Sequence, residues 1–199
     1  MVQMTAKVTP SPPPPEQWFT LPGRYSWEQF QALDALLTVD YSGVRVFYLD
    51  GVTELMSISP EHELIKSILD TMLVLFFYKQ KINAVPMGSA TMQSESLSVS
   101  AEPDLSYRLD GESGPPDLAV EVALSSGGRS KLGRYRRLEI SEVWFWQDDR
   151  LWLYGWDGED YQELRESRLL EGVRVDLLER GVRSRNLLQA IQLFSAEMQ

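Results

Sequence analysis

Asp117-Leu-Ala-Val-Glu-Val-Ala-Leu124 is the stretch on which the fold turns. Side chains alternate along a strand, so Leu118, Val120, Val122 and Leu124 share one face, and Ala119, Glu121 and Ala123 share the other. After it come a short basic helix, from about Ser130 to Glu139, and another strand containing Val143, Trp144, Phe145 and Trp146. Helices interleaved with strands give an α/β domain. Within the first strand, Glu121 stands out. A carboxylate in so apolar a strand is costly unless something pairs with it. Its same-face neighbours are both alanine, which leaves space for a bound cation or for the head of a buried arginine or lysine.

Upstream, Pro103-Asp104 opens a second strand-like run, Asp104-Leu-Ser-Tyr107. It can pair with the Glu121 strand across a loop holding Gly111, Gly114, Pro115 and Pro116. Carboxylates on neighbouring strands stand roughly 5 Å apart and can chelate one hard cation, magnesium or manganese. Asp117 also follows a proline, but four residues of strand put it about 13 Å from Glu121. Its expected role is to end the loop by bonding backbone donors.

Downstream, residues 129–137 hold five basic residues in nine. Lys131, Arg134 and Arg137 fall on roughly one face of the basic helix. A lysine near the carboxylates can stabilise charge building on a phosphate, and Arg134 and Arg137 can hold flanking phosphates.

The remaining elements follow from local signals. Ser26-Trp-Glu-Gln29 is a capping box, with Trp27, Phe30, Leu33, Leu36 and Leu37 following at helical spacing. Strands at Val44 to Leu49 and Val52 to about Ser57 flank Asp50-Gly51, a two-residue hairpin signal. Ser59-Pro60-Glu61 opens a long helix, with Ile65, Ile68, Leu69, Met72, Leu73 and Phe76 as its apolar stripe. The segment from Ile82 to Tyr107 is richer in strand and turn signals. A β-meander runs to about Val175, and a last helix from about Ser184 to Ala196. The tryptophans of the meander are expected in a hairpin core or a dimer surface. Residues 1–22, with Pro10 and Pro12 to Pro15, are expected to be a disordered proline-rich arm; residues 23–199 form one domain around one mixed sheet.

Composition excludes some classes. No segment approaches the roughly 20 apolar residues of a membrane span, and the N-terminus lacks a signal peptide's apolar core. With no cysteine there is neither a disulfide nor a thiolate metal site, which fits a cytoplasmic protein. A net charge of −10 argues against indiscriminate coating of nucleic acid, so any contact with DNA depends on local basic patches.

The ordered set Asp50-Gly51, Met56-Ser57, Ser59-Pro60-Glu61-His62, Pro103-Asp104, Pro116-Asp117-Leu-Ala-Val-Glu-Val122, Lys131 with Tyr135, and Glu142-Val-Trp144 resembles the Uma-type restriction endonuclease family of the PD-(D/E)xK nuclease superfamily. The resemblance covers roughly residues 24 to 199. It implies a restriction-endonuclease-like mixed β-sheet flanked by helices, with Asp104 and Glu121 as metal ligands and Lys131 as the catalytic lysine. It also implies magnesium- or manganese-dependent hydrolysis of DNA phosphodiester bonds. In the strict superfamily motif the lysine sits two residues after the glutamate; here that position is Ala123, and Lys131 reaches in from the helix. Val52 replaces the family's common glutamate after Asp-Gly, leaving Glu54 or Glu61 as accessory acids. The loop Ser125-Ser-Gly-Gly-Arg129 is short for the family. His62, the single histidine, matches a common family histidine and is a candidate for proton transfer or for orienting a ligand. Two readings of function follow: a metal-dependent DNA endonuclease, possible as a homodimer, or a catalytically inactive nuclease fold acting as a binding or regulatory module.

Overall fold

The computed structural model describes residues 15–40, 43–109, 113–124 and 128–198. It is mixed α/β, but the strands form two sheets where the sequence suggests one. The first has the order β1 (Gln17–Thr20), β3 (Val52–Ser57), β2 (Val44–Leu49), β6 (Val99–Ala101), β5 (Met92–Ser94), antiparallel throughout. The second has the order β11 (Tyr161–Leu164), β10 (Arg150–Trp156), β9 (Glu142–Gln147), β8 (Leu118–Val122), β7 (Leu105–Leu109), β4 (Ala84–Pro86). Only β8 and β9 in it run parallel, joined through α3 (Leu132–Leu138). The chain crosses between the sheets at Glu102-Pro103-Asp104. Pro103 has no N–H to give to a ladder, so pairing stops there.

The second sheet is covered on both faces, which is why all five residues of β8 are buried. Leu118, Val120 and Val122 join Trp144, Trp146 and the stripe of α2 (Pro60–Gln80) in the larger core. On the opposite face Ala119 packs with Tyr135, Val143, Phe145 and Tyr154. The meander tryptophans therefore fill cores. Helices α4 (Val175–Arg183) and α5 (Leu187–Glu197) lie against α2.

Several local signals fold as written. Ser26 and Gln29 exchange side chain to backbone bonds at α1 (Trp27–Asp40), and Ser59 caps α2 by accepting from the His62 N–H at 3.2 Å. Asp50 and Gly51 both have positive φ, 46° and 87°, as a two-residue hairpin turn of the mirror-image type needs. Asp117 accepts the Leu109 N–H at 2.7 Å, closing the loop as expected.

Other expectations change. Within the stretch 1–22 expected to be a disordered arm, Glu16 is buried and Gln17–Thr20 pairs with β3 as an edge strand. Residues 1–14 lie outside the described residues. The basic helix begins as a 3-10 turn, Gly128–Lys131, before α3. The last helix starts at Leu187 under an Asn186 cap, and α4, unexpected from sequence, precedes it.

Candidate active site

The β7–β8 register pairs Leu105 with Val120. One step along, Asp104 falls beside Glu121, and the Val122 N–H donates to Asp104 Oδ2 at 2.7 Å. Both carboxylates are almost fully buried, at 0% and 1% exposure. Sheet pairing thus places side by side two acids separated by 17 positions in the sequence.

Each acid has its own set of partners. Glu121 Oε2 accepts from Lys131 Nζ at 3.2 Å, and Oε1 accepts from the Tyr135 hydroxyl. The room left by the small residues of β8 is taken from the α3 side: Tyr135 packs with Ala119, and Gly128 closes against Ala123. Burial pushes the Tyr135 hydroxyl well above its ordinary pKa, and the Glu121 charge adds to this. The phenol therefore remains a donor.

Asp104 Oδ1 bonds to the Arg45 guanidinium and to His62 Nε2, the latter at 2.8 Å. Burial alone would raise the Asp104 pKa. The His62 hydrogen bond and the positive charges of His62, Arg45 and Lys131 outweigh it and hold the carboxyl well below the usual range. Arg45 Nε also pairs with Glu102 at 3.0 Å.

His62 is clamped between two acids. Its Nδ1 lies 2.6 Å from Glu16 Oε2, and Glu16 Oε1 accepts the Leu124 N–H at 3.2 Å. An ionised carboxylate only accepts, so an imidazole with a carboxylate at each nitrogen must carry both protons. Burial opposes this charge, but the bonds to Asp104 and Glu16 prevail and lift the pKa to about 9. The centre then holds four anions (Glu16, Glu102, Asp104, Glu121) and three cations (Arg45, His62, Lys131).

The other candidates lie further out. Glu54 accepts from Trp18 Nε1 at 3.1 Å and pairs with Arg134 at 3.2 Å. The Arg134 guanidinium is buried over the Phe47 ring, 4.4 Å from its centroid, rather than presented to solvent as a phosphate ligand. Arg137 pairs at the surface with Asp50, and Glu61 with Arg185, so neither joins the carboxylates. Trp18 stacks on Phe47 and lies 4.4 Å from Lys131 Nζ, covering the lysine.

Sequence reasoning missed Arg45 and Glu16. Arg45 carried a readable signal, a lone charge in the apolar run Val44–Leu49. Glu16 carried none, because its partner lies 46 residues away. As a donor set, Asp104 and Glu121 are hard oxygen ligands suited to magnesium or manganese. Among the described residues no group of three or more acids or histidines converges as a complete protein cage. A cation held by this pair would draw its other ligands from water and substrate, which is usual for magnesium.

No curated protein matches the chain. The Uma2 family model, described as a putative restriction endonuclease, matches residues 27–190, a span that takes in Asp104, Glu121, Lys131, Arg45 and His62 but not Glu16. With most of its length matched, the chain belongs to the Uma2 family.

Proposed function

We propose that the protein is a metal-dependent endonuclease that hydrolyses DNA phosphodiester bonds at Asp104, Glu121 and Lys131. The observation that carries this reading is the paired carboxylates with a buried lysine against one of them. Asp104 and Glu121 would hold a magnesium or manganese ion, which when bound supplies Lewis-acid polarisation of a phosphate and a nucleophile of lowered pKa.

The remaining chemistry belongs to the chain. His62 and Arg45 keep Asp104 ionised and fix its orientation. Tyr135 fixes Glu121 through a donated hydrogen bond. Lys131 supplies positive charge where a phosphate gathers negative charge in its transition state. A phosphate reaches Lys131 only when Trp18 moves from above it.

One observation favours the second reading, an inactive binding module. Both carboxylates already have cationic or hydrogen-bonding partners, so a metal must compete with Arg45, His62 and Lys131. Titration calorimetry with magnesium and manganese, alongside nicking of supercoiled plasmid, separates the two. The endonuclease reading expects site-specific binding and nicking in the wild type, both lost in Asp104→Asn and Glu121→Gln. It expects nicking alone to be lost in Lys131→Met, with circular dichroism unchanged in all three. Nicking that survives all three substitutions, or a wild type that neither binds metal nor cuts, rules it out.

A further inference from the structure

Residues 16–20 lie across the carboxylate site as a strap. The register puts Trp18 level with Met56 on β3, and Met56 level with Arg45 on β2; Thr20 is likewise level with Glu54 and Phe47. Glu16, Trp18 and Thr20 therefore share the sheet face that carries Arg45, whose guanidinium reaches Asp104.

Two of these side chains take up places that a substrate would need. Glu16 presents each oxygen to a separate donor: Oε2 lies 2.6 Å from His62 Nδ1, and Oε1 accepts the Leu124 N–H at 3.2 Å. Leu124 stands three residues past Glu121, just beyond the end of β8. Trp18 lies over Lys131 Nζ, 4.4 Å from the ring centroid.

We propose that His62 Nδ1–H and the Leu124 N–H form a phosphate site for a nucleic-acid strand, that Glu16 fills it as an internal mimic, and that the strap must unzip from β3 before the strand binds. This rests on the nuclease reading of Asp104, Glu121 and Lys131, and adds how the strand is held and what keeps it out.

Charge favours the exchange. A phosphodiester carries a single negative charge, as the Glu16 carboxylate does, so one replaces the other without upsetting the balance of buried charges. A backbone N–H and a charged side-chain donor are both groups that hold phosphate oxygens. The His62 ring stands between Glu16 and Asp104, with one nitrogen bonded to each. The phosphate that takes the place of Glu16 is therefore a neighbour of the reacting one at Asp104 and Glu121. Because Trp18 leaves with Glu16, Lys131 and the two donors are freed together.

The strap is built to detach. It is an edge strand, paired on one side alone, and such elements open at the low end of a protein's range of local stabilities. At its base the Leu21 N–H donates to the Thr53 carbonyl and the Tyr25 N–H to the Gly51 carbonyl, both at 2.9 Å. Between these anchors Pro22 has no N–H to give. Gly23 has φ of 91° and open space around it. Rotation at Pro22-Gly23 swings the strap while Tyr25 and α1 stay in place.

A reversible lock tests this in the full chain. Gln17 and Ser57 are cross-strand partners, roughly 4.5–5.5 Å apart at Cα and so within disulfide reach, and the chain has no cysteine of its own. In Gln17→Cys/Ser57→Cys, acetylation of Lys131 by acetic anhydride is read by mass spectrometry against the exposed Lys79 and Lys81. Lys131 labelling and plasmid nicking should both be lost in the oxidised form and return to wild-type rates on reduction. Dimethyl phosphate should shift the His62 ring and Leu124 amide signals of Glu16→Ala saturably, and those of the wild type only at higher concentration. The isosteric Glu16→Gln should also respond below the wild-type concentration, and it decides the point if Glu16→Ala does not fold. Equal Lys131 labelling in the oxidised and reduced forms, or no shift with dimethyl phosphate in the folded Glu16 variants, overturns the proposal. The two readings fail separately. Lock-dependent labelling and phosphate shifts in a protein that never nicks DNA remove the nuclease and leave the strap. Nicking that Asp104→Asn abolishes but the oxidised lock leaves intact does the reverse.

Discussion

Lys131 Nζ and Glu121 Oε2 lie 3.2 Å apart with both side chains almost fully buried, so each charge is the other's main compensation. The pair joins the 3-10 turn to β8, the strand at the centre of the site. Losing one partner from such a pair strands a buried charge and costs about 3–5 kcal/mol. Lys131→Ala is therefore expected to lower unfolding free energy by that amount in urea titrations. The double variant Glu121→Gln/Lys131→Met should lose less than the sum of its singles, because neither change then leaves an isolated charge. Additive losses would show that the two do not compensate each other.

His62 gives a direct electrostatic readout because it is the only histidine. Its ring signals are expected to titrate near pH 9 in the folded protein. The folded pKa is raised above the unfolded value of about 6.5. The stability it contributes is complete below about pH 6.5 and is lost as pH rises through 9. The slope is about 1.4 kcal/mol per pH unit, so the whole is about 3 kcal/mol. Glu16→Gln should move the midpoint down, and His62→Gln should flatten the stability profile between pH 6.5 and 9. A wild-type midpoint near 6.5 would mean that Glu16 and Asp104 do not clamp the ring.

Glu142 is expected to matter for stability alone. It is buried, yet its partners are all neutral donors: the Trp144 indole at 2.9 Å, the Ser167 hydroxyl at 2.8 Å, and the backbone N–H groups of Arg168 and Leu169. It pins the segment after β11 to the start of β9. Hydrogen bonds to a charged group contribute about 1.5–3 kcal/mol each, and Glu142→Ala breaks several while leaving donors unpaired. A loss of at least about 3 kcal/mol is expected in chemical denaturation, with metal affinity per folded molecule unchanged. A change in affinity instead would connect Glu142 to the carboxylate site.

Elements set by neighbours in sequence were legible before the structure. The Ser26 and Ser59 caps, the Asp50-Gly51 turn and the Asp117 bond each depend on residues within eight positions. Glu121 was legible because a strand's period makes a buried charge conspicuous. Arg45 obeys the same rule as a lone charge in β2, but its partner Asp104 lies 59 positions away, so no local pattern tied it to the site. Glu16 depends on His62 and Leu124, 46 and 108 positions away, with no local pattern to announce it. The second sheet was hidden for a related reason: strand signals do not say which strands pair, and the break at Pro103 reads equally well as a turn within one sheet. α4 was missed because Gly181 and the β-branched Val175 and Val182 weaken its helical signal; its contacts with α2 stabilise it instead.

That same Gly181 sets helix packing against intrinsic propensity. A Cβ at this position would lie 2.1 Å from Met72 Sδ and 2.7 Å from Met72 Cε, in the middle of the α2–α4 contact. By propensity alone, alanine should stabilise a helix by about 1 kcal/mol over glycine. Met72 is fully buried and has nowhere to swing, so overpacking should cost about 1–3 kcal/mol. The clash is expected to win, and Gly181→Ala to lower the melting temperature. The decisive comparison is in the Met72→Ala background, where the clash is gone and propensity remains. There Gly181→Ala should be neutral or stabilising. If it destabilises both backgrounds equally, Met72 is not what requires the glycine.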